Sequence, residues 1–486
     1  MKRRDFIRSA ALVAGAYAAP TFLAAPTARA ATSRRLTIGT RTLEVNGKAA
    51  TVYGLTGPDG RPGLVFDPGE TFSVSLENRL KEDTIVHWHG LRPPWQQDGV
   101  RDNPLPMLKA DETREYDFPL ANDGTCWMHA HTLQEQTLLA APLIVRTQDV
   151  VTAGLQEVVM MLHDFSFRPP EELLAGLGGG GSDSHSAHMK SGDMSNMDMS
   201  SDGQDAMDMG NMSMGSMDMA MGAADLNDIE YDAYLTNDRT LDDPEIVSVG
   251  KGEKVRLRII NGASSTAFWL EPQGLKTTLV AVDGKPVGPV EASSYPMTMA
   301  QRLDLIVEIP AGGGAFPVLA RREGTVDQTG LILATTGATI GKISSKGEKA
   351  APALDLSLET KLRAGMPLAD KPVARKFMVH LAGDMASYKW TMMGANKIAL
   401  KSGERVEIAM MNMSMMAHPM HLHGHDFQVV GIDDTRFAGA MRDTVLVPPM
   451  KTVTIAFDAG SPGHWPFHCH HLYHMLSGMM THIKVA

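Results

Sequence analysis

The stretch His468-Cys469-His470-His471-Leu472-Tyr473-His474-Met475-Leu476-Ser477-Gly478-Met479 sets a thiol between two imidazoles. Another imidazole follows five residues after the thiol, and a thioether ten residues after it. A thiolate, imidazoles and a weak thioether form the donor set that suits a blue-type copper. Alternate residues of an extended strand point to opposite faces, so His468 and His470 are expected to face one way and Cys469 the other. One strand can then serve two copper sites, with the cysteine backbone as the covalent link between them.

Working outward, three other stretches share this grammar: His87-Trp88-His89-Gly90, Trp127-Met128-His129-Ala130-His131 and His418-Pro419-Met420-His421-Leu422-His423-Gly424-His425. Each holds His-x-His, which presents two imidazoles on one strand face. With 18 histidines in 486 residues, composition alone gives about 0.7 such pairs. One pair by itself reads as two solvated histidines on a surface strand. Four such stretches, one carrying a cysteine between its imidazoles, read as metal ligands.

These four stretches resemble the copper motifs of three-domain multicopper oxidases, within the laccase family and nearest its CueO-like and CopA-like cuprous oxidases. The resemblance spans nearly the whole chain after its N-terminal segment. It implies four copper ions: one type 1, one type 2 and a type 3 pair. By the same resemblance, type 1 copper is held by His418, Cys469 and His474 with Met479 as axial ligand. Type 2 copper is held by His87 and His421, and the type 3 pair by His89, His129, His131, His423, His468 and His470. Cys469, His468 and His470 would carry electrons from type 1 copper to the other three. The residues agree in number, since four pairs supply the eight imidazoles that a three-copper cluster needs.

The chain begins with a targeting pattern. Arg3-Arg4-Asp5-Phe6-Ile7-Arg8 is a twin-arginine type start, an apolar run extends from Ala10 to Ala25, and Ala28-Arg29-Ala30 fits a small-x-small cleavage site. The run is short and broken by Gly15 and Pro20, which argues against a permanent membrane anchor. Residues 1–30 therefore read as a signal for export of the folded protein through the twin-arginine machinery to the periplasm, with no stable membrane insertion afterwards. This segment carries a net +4, and removing it from the whole-chain −11 leaves about −15. Such an acidic chain is not a nucleic-acid binder, but it can attract metal cations. The second of its two cysteines, Cys126, reads as a small buried residue, so no disulfide framework exists.

The length suggests three domains. Alternation at Thr71-Phe72-Ser73-Val74-Ser75-Leu76 and Val255-Arg256-Leu257-Arg258-Ile259-Ile260-Asn261-Gly262, with frequent turn residues, indicates an all-β chain of sandwich domains. The resemblance makes these three cupredoxin-like Greek-key sandwiches, at 31–149, 150–345 and 346–486, in a chain expected to be a monomer. The middle domain has no His-x-His pair and holds no copper. Domains one and three must therefore build the three-copper cluster between them.

Within the middle domain, residues 178–224 form a distinct insert. Eleven of the 34 methionines fall between Met189 and Met221, among Ser, Gly, Asp and Asn, and no Leu, Ile or Val occurs in the insert. Such a segment cannot build a core and is expected to be disordered without metal. Its thioethers, with Asp193, Asp198, Asp208, Asp218, His185 and His188 nearby, suit soft Cu(I). A second methionine group, Met410, Met411, Met413, Met415, Met416 and Met420, surrounds His418, and at least half of it is expected to be ordinary core. Met416 matches the methionine that binds substrate Cu(I) in the cuprous-oxidase branch. That branch has a carboxylate two residues earlier, where Ser414 stands here, so Asp384 and Met385 are alternative donors.

Reduction of O2 also needs protons. Asp98, in Gln96-Gln97-Asp98-Gly99, matches the family's acidic residue beside type 2 copper and is the candidate relay, although Asp-Gly is also a common turn pair. The copper-efflux oxidases carry a glutamate where Tyr473 stands. Asp443, in Arg442-Asp443-Thr444, is expected to pair with Arg442 or with another base. The reading that results is an oxidase coupling Cu(I) oxidation to reduction of O2 to water. The alternatives are a laccase acting on phenols and aromatic amines, or a copper-storage protein, which would need no trinuclear geometry. A copper nitrite reductase would have two domains and fewer His-x-His pairs.

Overall fold

The computed structural model describes residues 33–121, 124–178 and 226–486. The targeting segment and the methionine-rich insert from residue 179 onward lie outside the described residues. The rest is mostly strand, and its sheets face one another in three sandwiches.

In the first sandwich, a sheet ordered Lys48–Thr56, Arg34–Val45, Thr71–Asn78, Thr113–Pro119 faces one ordered Leu64–Phe66, Ala140–Val145, Gly124–Ala130, Val86–His89. Period-two burial makes the core here: Phe72, Val74 and Leu76 point in from one sheet, and Trp88, Met128 and Leu143 from the other. Phe72 stacks on Phe118 at 4.6 Å and meets Trp88 edge-on at 4.8 Å, geometries that aromatic pairs prefer. Cys126 is buried in this core, as expected of a small apolar residue.

The second sandwich pairs a six-stranded sheet, with Lys254–Asn261 and Arg302–Glu308 at its centre, with a five-stranded sheet that includes Ala315–Arg322 and Gln328–Thr335. The third pairs the sheet containing Arg375–Asp384, Lys389–Met393, Arg405–Asn412 and Thr452–Asp458 with one ordered Ala399–Leu400, Met480–Val485, Gly463–Cys469, His418–Leu422, Thr444–Val447. Small apolar junctions join one sandwich to the next. Trp127 and Ala140 pack with Met161, Ile260 and Ala300, and Ala267 and Met299 pack with Leu354 and Leu446. Among the described residues no helix is long and apolar enough to cross a membrane.

Candidate metal centres

The register of two neighbouring strands accounts for both centres. In the antiparallel pair His418–Leu422 and Gly463–Cys469, Met420 stands opposite Cys469 and His421 opposite His468. Residues in register share a face and successive residues alternate. His418, Met420 and Cys469 therefore look one way, and His421 and His468 the other. This is the division expected from the Cys469 stretch.

On the first face, His418 Nδ1 and His474 Nδ1 lie 3.2 Å apart, and Cys469 Sγ lies 3.7 and 3.8 Å from them. His474 arrives on the one-turn helix Leu472–Leu476. The chain then turns at Gly478, where φ is +119° and a Cβ would meet the Trp390 carbonyl oxygen at 2.4 Å, so glycine is required. The Cys469 N–H donates to the Met479 carbonyl at 3.0 Å, which brings the fully buried Met479 alongside. The outer nitrogens are also held. His418 Nε2 donates to Ser414 Oγ at 2.7 Å, and His474 Nε2 donates to Asp228 Oδ2 at 3.1 Å. Asp228 also accepts from the Tyr388 hydroxyl. Burial holds both histidines well below their usual pKa, so each presents a neutral lone pair inward. Burial pushes the Cys469 thiol up. A bound cation would supply the charge that its thiolate needs.

On the second face, eight imidazoles from the first and third sandwiches converge. His87 stands opposite His129 in the pair Val86–His89 and Gly124–Ala130. His423 Nε2 and His131 Nε2 approach His468 Nε2 at 3.0 and 3.3 Å. His87 lies over His423, and His89 stacks on His421, each with ring centroids 3.9 Å apart. His470 lies 5.0 Å from His129 and 5.1 Å from His89 by centroid. Trp127 stacks on His129 at 4.2 Å and walls that side against water.

Whether these residues fit copper is decided by their ring nitrogens. His87 Nε2, His89 Nδ1, His129 Nε2, His421 Nε2 and His470 Nε2 are buried without a hydrogen-bond partner. The opposite nitrogens of four of these rings are engaged: His87 with the Asp98 carbonyl at 2.8 Å, His89 with Asp443 Oδ1 at 3.1 Å, His129 with Glu135 Oε2 at 2.8 Å and His421 with the Asp443 carbonyl at 2.8 Å. An orphaned buried nitrogen is costly. A ring fixed through one nitrogen with the other bare is how a metal-ligating histidine is presented. Burial lowers His87, His89, His131, His421, His423 and His470 well below the usual histidine range, and His468 to about 4. The lone pairs are therefore free, and the residues fit a group of soft or borderline cations.

Asp98 is fully buried, and burial raises its carboxyl to about 8. Its Oδ2 accepts from His423 Nδ1 at 2.8 Å, while Oδ1 has no hydrogen-bond partner. The following Gly99 has φ +81°, and a Cβ there would strike the Val86 carbonyl oxygen at 1.9 Å. Asp98-Gly99 is thus a turn and a contact to the histidines at once. Asp443 pairs with Arg302, not with its neighbour Arg442, whose partners are Glu359 and Asp283. Adjacent residues on an extended chain point apart. Tyr473 donates to Gln136 Oε1 at 3.0 Å.

Of the expected substrate-copper donors, Met416 is buried at 3% exposure and Met385 packs partly buried against the same core. Asp384 is exposed, and its carboxylate caps its own turn through the Ala386 N–H at 3.0 Å and the Ser387 hydroxyl at 2.7 Å. Met410, Met416 and Met420 are core, whereas Met413 and Met415 are exposed. Sequence reading missed Asp228, Glu135 and Arg302. Only Glu135 left a signal, a carboxylate four residues past His131. Asp228 lies 246 positions from its partner His474.

Three family models described as multicopper oxidase match residues 37–149, 203–342 and 369–486. The chain belongs to the multicopper oxidases and is an oxidoreductase of that family, whose cofactor is copper. Within it, the chain is 27% identical over 572 aligned positions to copper resistance protein A of Escherichia coli, covering 93% of this chain and 92% of that protein. It is 29% identical over 446 to multicopper oxidase MmcO of Mycobacterium tuberculosis, covering 89% and 82%. A crystal structure of laccase from Botrytis aclada superposes with a TM-score of 0.70 at 21% identity, covering 93% of this chain and 87% of that one. A multicopper oxidase from Pseudomonas thermotolerans gives 0.65 at 22%, covering 93% and 98%. Both share the cupredoxin-like sandwich fold.

Proposed function

We propose that this protein is a periplasmic cuprous oxidase that couples oxidation of four Cu(I) to four Cu(II) with reduction of one O2, using four protons, to two waters. His418, Cys469, His474 and Met479 would hold type 1 copper. His87 and His421 would hold type 2, and His89, His129, His131, His423, His468 and His470 the type 3 pair. When bound, the four coppers supply single-electron acceptance at the first centre and four-electron reduction of O2 at the second. The observation that carries this reading is the set of five buried, unpartnered ring nitrogens facing one another across two sandwiches.

The chain's own groups then have definite tasks. Cys469 and the flanking His468 and His470 span the two faces of one strand and give electrons a covalent route. Asp98, whose carboxyl burial raises to about 8, is the candidate proton relay beside His423. Asp228 and Ser414 orient the two type 1 imidazoles. Met416, Met385 and Asp384 remain the proposed handle for substrate copper, supplied by the thioethers of the insert. Export through the twin-arginine machinery as a folded monomer fits the N-terminal pattern.

A laccase-type reading is favoured by one observation. Ser414 replaces the carboxylate of the substrate-copper site, and Asp384 is committed to its own turn. The deciding experiment deletes residues 182–224 and compares Cu(I) and phenol oxidation at matched copper loading. The cuprous reading expects Cu(I) oxidation to fall at limiting copper, with phenol oxidation unchanged or raised. Equal loss of both activities removes it.

A further inference from the structure

The sheet whose inner face packs behind the type 1 histidines has an outer face that the proposed reaction does not use. In strand Arg375–Asp384, Val379 and Leu381 are fully buried while Met378 and His380 point outward, Met378 at 49% exposure. His380 stands in register with Met393 of strand Lys389–Met393 on one side. It stands in register with Met411 of strand Arg405–Asn412 on the other. Burial alternates in step on all three strands: Met392, Leu381 and Met410 lie inside, and Met393, His380 and Met411 outside. The rank Met393–His380–Met411 therefore shares one face.

Neighbouring strands lie about 4.8 Å apart, and methionine turns on three side-chain bonds. Thioethers from both sides can thus close over the imidazole between them. Two more extend the group. Met378 precedes His380 by two residues on the same face. Met413 follows Met411 by two, is 52% exposed, and is aligned through its N–H to the Leu381 carbonyl at 2.8 Å. The His380 ring makes no hydrogen bond or ion pair with any described residue. Single exposed apolar side chains are ordinary, but four methionines around one unpartnered histidine form a donor set of soft sulfur with one borderline nitrogen. That set selects a monovalent soft cation over hard divalent ones.

We infer that this outer face is a binding site for one Cu(I), with His380, Met393 and Met411 as ligands and Met378 and Met413 as adjacent donors. It lies outside both metal centres and does not depend on which substrate the enzyme oxidises.

The test uses Ag(I), a monovalent soft ion that the enzyme cannot oxidise, on the full-length, copper-loaded protein with methionine methyl groups labelled for NMR. The methyl signals of Met393 and Met411 should shift together with the His380 ring along one common binding curve. His380→Ala should remove one Ag(I) equivalent from the total, and so should the double variant Met393→Leu/Met411→Leu. Both should keep the blue absorption, which confirms folding. Unmoved methyl signals in the wild type would overturn the site without recourse to any variant. So would an unchanged Ag(I) count in the double variant. Zn(II) binding that equals Ag(I) binding and ignores the methionine changes would reduce the site to a surface histidine and overturn it too.

Discussion

Arg302 offers the sharpest test of how the eight-histidine cluster is held together. It is fully buried in the second sandwich. It donates to the Thr125 carbonyl of the first at 3.0 Å and to Asp443 Oδ1 of the third at 2.7 Å, with a further bond to Asp443 Oδ2. Asp443 in turn holds His89 through its carboxylate and His421 through its carbonyl. Replacing Arg302 with Met removes its two bonds to the Asp443 carboxylate, of about 1.5–3 kcal/mol each, along with those to the Thr125 and Ala300 carbonyls, and leaves a buried carboxylate without its counter-charge. Removing one member of a buried pair costs about 3–5 kcal/mol, or roughly a thousandfold in the folding equilibrium at about 4 kcal/mol. The measurement is denaturant unfolding of the copper-free protein, with copper counted and EPR recorded after reloading. The single variant should lose that stability together with cluster copper while keeping the blue absorption. The double variant Arg302→Met/Asp443→Leu should regain most of the stability, because an apolar pair can replace a buried ion pair. It should still load cluster copper poorly, since His89 has lost its carboxylate acceptor and such partners are worth about 10–100-fold in metal affinity. A single variant that loses under about 1 kcal/mol and keeps full cluster copper would refute this account.

Cys469→Ser should abolish the blue absorption while leaving the cluster largely loaded, as metal analysis and EPR would show; a colourless copper-loaded wild type would contradict the type 1 assignment. Asp228→Asn weakens the acceptor for His474 Nε2 and should alter the type 1 EPR and reduction potential with little effect on cluster signals. In the copper-free protein, Asp98 has its pKa raised by burial from 3.8 to about 8. Its stabilising contribution is therefore full below about 4 and is lost as pH rises toward about 8. Subtracting the stability profile of Asp98→Asn from that of the wild type should show this decline, and a flat difference would place Asp98 in a more polar setting than the structure gives it.

The histidine and cysteine clusters were legible in the chain because their residues are local. A His-x-His or His-Cys-His run, read on a period-two strand, already separates the imidazoles from the thiol. The register of Met420 with Cys469 and His421 with His468 is the spatial form of that alternation. The all-β class followed from the same period, as in the strand Thr71–Asn78. What surrounds the ligands was not legible, because it comes from distant chain. Asp228 reaches His474 across 246 positions from the segment before strand Ala233–Thr236, and Arg302 binds Asp443 across 141. Sequence offered Arg442 as a partner because it is adjacent, yet adjacency on a strand sends side chains to opposite faces. Met378, His380 and Met393 carry no motif, and only strand pairing makes them neighbours of Met411. Local periodicity thus determined which residues can bind metal. Tertiary packing decided which buried charges orient them, because a desolvated carboxylate or guanidinium must find its counterpart wherever the fold brings one within reach.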